Sequence, residues 1–136
     1  AGLQPRRLVL AGMGIEGLDN WSRRAGFFID MLDRLDAIRP GDPAYMARQF
    51  LKSMGTDRVA ARLLLSHGVA DVAAADLARI AMPTLVLCGS EDRDNGSPEA
   101  LAQALPEARL AEVPGNHMGS VTKPDLGAAI RDFLLG

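Results

Sequence analysis

The sequence predicts an α/β fold built on a three-stranded parallel sheet. Three short runs, at residues 7–11, 84–88 and 109–113, have the length and composition of β-strands, and segments with helical spacing separate them. The first run is continuously apolar, which is typical of a strand covered on both faces. Strands that alternate with helices are joined by right-handed crossovers, so we expect the three strands to be parallel.

The composition is that of an ordinary domain without a basic surface for nucleic acid. The 136 residues suffice for one hydrophobic core, and 15 Lys and Arg nearly balance 17 Asp and Glu. Nucleic acid is therefore not expected as a partner. No apolar run approaches the ~20 residues of a membrane span, and the run after Arg6-Arg7 is too short for a secretory signal. The expected compartment is the cytoplasm, and no membrane partner is expected.

The single cysteine, Cys88, excludes a disulfide within the chain and a cysteine zinc site. Its neighbours are apolar, so we expect a buried, reduced thiol that packs as a small hydrophobic side chain.

A glycine-rich turn, Gly12-Met-Gly14-Ile-Glu-Gly17, follows the first strand with the spacing of a dinucleotide-binding loop. That fingerprint also requires an acid at the end of a second strand ~20 residues further on. Here residues 34–40 lie in or just past a helical segment, and no second strand is available. We interpret the glycines as a flexible turn that leaves the strand, with nucleotide binding as the weaker alternative. No cofactor is expected.

The middle of the chain is predicted to be helical. One helix is predicted over residues 20–38, because its apolar residues recur at intervals of three and four. These residues are Trp21, Phe28, Met31, Leu32, Leu35 and Ile38. Two more helices are predicted at 44–54 and 57–67, the second ending at Gly68, the usual C-cap residue. His67 fits a surface histidine at that helix end.

The last part of the chain carries the second and third strands and two further helices. Ser97 and Pro98 are typical of a helix N-cap and first helical residue, and this helix is predicted to end near Leu105. A final helix is predicted from about Pro124.

An acid and a histidine follow two neighbouring strands. Asp92 stands three residues after Gly89, which ends the second strand, and His117 follows the third. Together they form two thirds of an acid–histidine–nucleophile arrangement. Asp94 is the second candidate for the acid. The structural alternative is that Asp92 caps a turn in Asp92-Arg-Asp94-Asn-Gly and that His117 bonds to backbone.

These residues resemble the C-terminal third of the α/β-hydrolase superfamily. The resemblance is carried by the stretch from Asp76 to Asp92, by a helix ending in Leu105-Pro106, and by Glu112-Val-Pro-Gly-Asn-His117. It implies that Asp92 and His117 are the acid and the histidine of a Ser-Asp-His triad. It also implies that residues 1–12 and 76–136 form part of the hydrolase core, with residues 13–75 inserted as a helical cap.

The resemblance departs from the family at the nucleophile. The family's G-x-S-x-G elbow is not found, and every serine lacks its strand-turn-helix context with flanking glycines. These serines are Ser22, Ser53, Ser66, Ser90, Ser97 and Ser120. The chain therefore resembles the C-terminal half of a hydrolase for an ester or a related small apolar substrate, with the serine on a missing N-terminal half. Alone, it is predicted to be inactive.

The edge of the first strand is expected to bind a partner. If no further strand flanks residues 7–11, their exposed edge is expected to pair with the N-terminal half of a hydrolase or with a second copy of the chain. The alternative to an enzyme is a non-catalytic ligand-binding or interaction module on the same scaffold.

Overall fold

The computed structural model describes residues 4–19, 21–67 and 71–136. The predicted C-cap at Gly68 and the expected helix start at Asn20 lie outside the described residues. The chain divides into two compact units, residues 1–19 with 72–136 and residues 20–71. The strands and the predicted acid and histidine lie in the first unit.

The first unit contains a three-stranded parallel sheet in the order β1-β2-β3. The strands are β1 (Leu8–Ala11), β2 (Thr84–Gly89) and β3 (Ala108–Val113). Every residue of the central strand β2 is buried. This sheet confirms the predicted α/β class and the predicted parallel strands. Within the part of the chain that the structure describes, β1 pairs only with β2 and therefore forms an edge.

Helices connect the strands and form the second unit. They are α1 (Ile15–Asp19), α2 (Trp21–Asp33), α3 (Tyr45–Ser53), α4 (Arg58–Ser66), α5 (Ala74–Leu77), α6 (Pro98–Ala104), α7 (His117–Ser120) and α8 (Pro124–Leu135). Ser97 caps α6 as predicted, because its hydroxyl accepts a hydrogen bond from the backbone N–H of Ala100 at 3.0 Å.

Apolar layers cover both faces of the sheet. On one face Val86 packs with residues of α5 and α6, in a buried cluster of Leu77, Val86, Leu101 and Leu105. On the other face a second cluster joins β2 and β3 to α8 through Leu85, Leu87, Val113 and Phe133. Successive β2 side chains thus enter opposite layers, as a strand buried on both faces requires.

The second unit packs α2, α3 and α4 around the buried residues Met31, Leu32, Ile38 and Ala44. The prediction of one helix over residues 20–38 was wrong at its end, because α2 stops at Asp33. Beyond it the N–H of Leu35 donates to the carbonyl of Leu32 and that of Ala37 to the carbonyl of Arg34. These three-residue turns are tighter than an α-helix yet keep apolar residues on one side, so Ile38 still reaches the core.

Two further features of the described residues bear on the predictions. Asp57 caps α4 by accepting hydrogen bonds from the N–H groups of Val59 and Ala60. None of the helices formed by residues 4–19, 21–67 and 71–136 has both the length and the apolar character needed to cross a membrane.

Candidate active site

The loop after β2 carries Asp92 and is hydrogen-bonded to the loop after β3. Ser90 donates its N–H to the carbonyl of Val113 at 2.8 Å, and Glu91 donates to the carbonyl of Gly115 at 3.0 Å. Asp92 then closes a tight turn by donating its N–H to the carbonyl of Gly89 at 2.9 Å. Two neighbouring strand ends are thereby held in fixed register at the carboxyl edge of the sheet.

His117 is the first residue of the short helix α7. Asn116 caps this helix, since its side-chain oxygen accepts a hydrogen bond from the N–H of Gly119 at 2.8 Å. No helix was predicted in this stretch from the sequence. The signal that identifies it is the asparagine directly before the histidine, because asparagine is a preferred N-cap residue.

The structure brings Asp92 and His117 into direct contact. The Nδ1 atom of His117 lies 2.9 Å from Oδ2 of Asp92. The Asp92 side chain is 3% exposed, and that of His117 is 35% exposed. A buried carboxylate therefore faces one ring nitrogen. When Nδ1 carries the proton of this hydrogen bond, Nε2 has a free electron pair and is able to accept a proton.

The second oxygen of Asp92 has a structural partner. Oδ1 accepts a hydrogen bond from the backbone N–H of Asp94 at 3.2 Å. Asp92 therefore caps the turn with Oδ1 and pairs with His117 through Oδ2, so both interpretations of this residue apply. Asp94, the second candidate for the acid, contributes its backbone to this turn.

Asp92, Asp94 and His117 also form a possible donor set for a metal ion. Each offers one ligand atom, and these atoms lie within 4.8 Å of one another. Two members of this set, Asp92 and His117, are already joined by their hydrogen bond at 2.9 Å.

The glycine turn after β1 forms a third side of the site. Gly12 has a φ of +64°, and a Cβ at this position would lie 3.1 Å from Cε1 of His117. The turn therefore needs glycine both for its backbone conformation and for its approach to the ring. Gly12 was not assigned to the site from the sequence, because Gly12 and His117 are 105 positions apart in the chain.

The remaining glycines of the turn pack against the loop that carries Asp92. A Cβ on Gly14 would overlap the backbone of Gly96, and a Cβ on Gly17 would lie 2.9 Å from Cβ of Asn95. The expected flexible turn is in fact partly helical, as α1, and Glu16 accepts a hydrogen bond from the N–H of Ser97 at 2.7 Å. The glycine spacing is thus explained by close packing between two loops.

Cys88 is buried at the end of β2, as predicted, and its thiol lies 3.6 Å from the carbonyl oxygen of Met13. Burial, followed by the nearby negative charge of Asp92, raises the pKa of this thiol. The neutral thiol is therefore favoured, and Cys88 is a poor nucleophile.

The serine hydroxyls of the described residues make no hydrogen bond to the imidazole of His117. Five of them bond elsewhere, to Asp71, to the carbonyls of Phe50, Arg62 and His117, and to Glu99. These are the hydroxyls of Ser22, Ser53, Ser66, Ser120 and Ser97. The sixth, Ser90, is exposed and follows β2 directly.

Solved structures share this fold. The chain matches a hydrolase from Pseudomonas aeruginosa with 25% identity and a TM-score of 0.59, covering 94% of this chain and 55% of that one. It matches an esterase from Thermogutta terrifontis with 24% identity and a TM-score of 0.57, covering 95% and 55%. It matches an enol-lactonase from Burkholderia xenovorans with 24% identity and a TM-score of 0.57, covering 96% and 56%. The chain has the α/β-hydrolase fold.

The α/β-hydrolase fold of this chain spans little more than half the length of these solved structures. No protein-family model matches the chain. No curated protein matches it with significant sequence similarity. The fold assignment therefore rests on the structure, together with the strand order and the connections described above.

Proposed function

We propose that the chain supplies the acid and the histidine of a Ser-His-Asp relay, and that the complete enzyme hydrolyses an ester or a related small apolar substrate. The observation that supports this proposal is the 2.9 Å hydrogen bond between Nδ1 of His117 and Oδ2 of buried Asp92. The two residues follow adjacent parallel strands, at the edge where α/β sheets place their ligands.

The geometry suits general base catalysis. Asp92 holds the His117 ring with its proton on Nδ1 and stabilises the imidazolium once it forms. Nε2 then removes the proton of a serine hydroxyl as that oxygen attacks the ester carbonyl, and returns it to the leaving alcohol. A water molecule, activated by the same nitrogen, hydrolyses the acyl-enzyme and restores the serine.

The nucleophile is proposed to lie on polypeptide other than the described residues. The described serine hydroxyls make no bond to the His117 imidazole, and Cys88 is buried and protonated. We therefore propose that a nucleophile-bearing hydrolase half pairs with the free edge of β1, in the same chain or in another. A second copy of the chain is the alternative partner for this edge.

The proposed substrate class is supported by the similar structures and by the proposed relay. An esterase and an enol-lactonase share the fold, and by name both act on carboxylic esters. We also propose that residues 13–75 form the helical cap of this fold. The proposed cytoplasmic location rests on the sequence alone, whose apolar runs are too short for a membrane span or a secretory signal.

The decisive experiment compares the chain alone with a complemented enzyme. The N-terminal half of the Pseudomonas hydrolase, fused ahead of β1, would supply the serine, and hydrolysis of p-nitrophenyl esters would be measured. We expect no turnover by the chain alone and measurable turnover by the fusion. His117→Ala should lower kcat of the fusion by about 10⁶, the cost of removing a triad base.

His67→Ala is the matched control, because His67 is the only other histidine in the sequence and is exposed directly after α4. It should leave turnover unchanged. If the isolated chain turns over the ester and His117→Ala abolishes this turnover, the proposal that the nucleophile lies on other polypeptide is contradicted. A fusion whose turnover survives His117→Ala would contradict the relay and favour a non-catalytic module.

A further inference from the structure

The glycine turn between β1 and α1 contacts the histidine of the site, although the proposed relay gives it no chemical role. The nearest approach is to the ring itself. A Cβ on Gly12 would lie 3.1 Å from Cε1 and 3.4 Å from Nδ1 of His117, and 3.7 Å from Oδ2 of Asp92. The backbone of Gly12 is thus the surface against which the hydrogen-bonded pair packs.

The turn is held in place by Asn95, which belongs to the same loop as Asp92. The side-chain amide of Asn95 donates to the carbonyl of Gly12 at 2.5 Å. Its backbone carbonyl accepts the N–H of Gly17 at 2.9 Å. Asn95 is half-buried, so the amide makes this bond partly shielded from solvent. One residue therefore joins both ends of the turn to the loop that carries the acid.

Other contacts keep the turn folded without this side chain. The N–H of Gly12 donates to the carbonyl of Leu87 at 2.8 Å, and that of Ile15 donates to the carbonyl of Ser97 at 3.1 Å. Loss of the Asn95 amide would thus leave β1 and α1 anchored. The bond that this loss removes is the one to the carbonyl of Gly12, which lies beside the ring of His117.

We infer that Asn95 is a positioning residue, which holds Gly12 against the imidazole of His117 and so keeps Nδ1 directed at Asp92. This inference rests on the proposed function, because a fixed ring matters for a base that must present Nε2. It assigns the glycine turn to the same site as the acid and the histidine, with a role in ring orientation.

The test is the tautomer of His117, measured by ¹⁵N NMR on the labelled chain at a pH where the ring is neutral. Ring nitrogen shifts give the ratio of the Nδ1–H to the Nε2–H form without any substrate. The wild-type chain should show mostly Nδ1–H. Asn95→Ala and Asn95→Asp both remove the donor, and each should raise the Nε2–H share about two- to tenfold, the range set by one hydrogen bond.

Ser97→Ala is the matched control. It removes the two hydrogen bonds of the Ser97 hydroxyl, to the N–H of Ala100 and to the carboxylate of Glu99, and leaves the bond between Asn95 and Gly12 in place. Backbone amide spectra of each variant report whether the first unit stays folded. Asp92→Ala is the reference for a ring that has lost its acceptor.

The outcomes separate this inference from the proposed function. If both Asn95 variants match Ser97→Ala while Asp92→Ala shifts the tautomer, the positioning role is overturned and the proposed relay stands. If Asp92→Ala leaves the tautomer unchanged, the pairing itself fails and both are overturned. A shift in both Asn95 variants, absent in Ser97→Ala, supports the inference.

Discussion

Gly89 lies directly against Gly115, so that a Cβ built on Gly89 would overlap the carbonyl oxygen of Gly115. That same oxygen accepts the N–H of Glu91. The loop that carries the acid and the loop that carries the histidine therefore meet backbone to backbone. This contact brings Asp92 and His117 within hydrogen-bonding distance, and it is possible only because Gly89 has no side chain.

Gly89→Ala is expected to destabilise the first unit by about 1–3 kcal/mol, as overpacking against an immobile group does. Urea unfolding followed by far-UV circular dichroism measures the change. Gly127→Ala is the control, because a Cβ there meets nothing within 4 Å and the residue lies in α8. That substitution should stabilise the chain by about 0.5–1 kcal/mol. Equal effects of the two variants would contradict the close contact.

The two acids of the loop should differ sharply in importance. In the fusion enzyme, Asp92→Asn is expected to lower kcat by about 10⁴, because an amide no longer holds the imidazole in the required tautomer. Asp94→Asn should change kcat less than about threefold, since Asp94 reaches Asp92 through its backbone N–H. Ester hydrolysis by the purified variants measures both. A larger loss for Asp94→Asn would identify Asp94 as the working acid.

The stability of the second unit should depend on pH through Asp42. The hydrogen bond from Arg34, followed by that from the N–H of Ala44, lowers the pKa of the Asp42 carboxyl below its usual range. A carboxyl with a lowered folded-state pKa stabilises the fold above its unfolded pKa. This contribution disappears as the pH falls below about 4 and passes through the folded pKa. Asp42→Asn should therefore be less stable than wild type at pH 7, with the difference vanishing in acid.

Fluorescence of Trp21, the single tryptophan, measures unfolding of this unit in urea at each pH. The control is Asp36→Asn, because Asp36 pairs with Arg58 at 3.2 Å with a side chain that is 82% exposed. Such an exposed ion pair contributes little to the free energy of unfolding. If the difference in the free energy of unfolding between Asp42→Asn and wild type were the same at pH 2 as at pH 7, the proposed link between the charge of Asp42 and stability would be contradicted.

The strands and the paired acid and histidine could be predicted from sequence because their signals are local. A continuous apolar run that ends at Gly89, three residues before Asp92, indicates both the strand and the place of the acid. The α/β-hydrolase resemblance then related this acid to His117. The contact between the two follows from the parallel register of β2 and β3.

What the sequence did not predict depends on short helices or on distant contacts. The helices α1 and α7 have 5 and 4 residues, too few for apolar spacing to identify. The bond between Asn95 and Gly12 joins residues 83 positions apart. The glycine spacing matched a nucleotide-binding turn only because both need backbone that approaches a neighbour closely.

The edge of β1 should mediate association of the isolated chain. Leu8 and Gly12 donate their N–H groups to Pro83 and Leu87 of the neighbouring strand segment. Because N–H groups alternate sides along a strand, that of Ala11 points to the open edge, where Ala11 is exposed. Ala11→Pro removes this donor while sparing the bonds to β2, since proline is tolerated at strand edges.

We expect the wild-type chain to dimerise, with a dimer fraction that rises with protein concentration. Ala11→Pro is expected to remain monomeric. Size-exclusion chromatography with light scattering measures both. Ala11→Ser is the control, because serine keeps the N–H, and it should associate like the wild type. Circular dichroism checks that both variants are folded. Dimers of Ala11→Pro that match those of Ala11→Ser would show that copies meet through another surface, since a proline at this position cannot donate to an added strand.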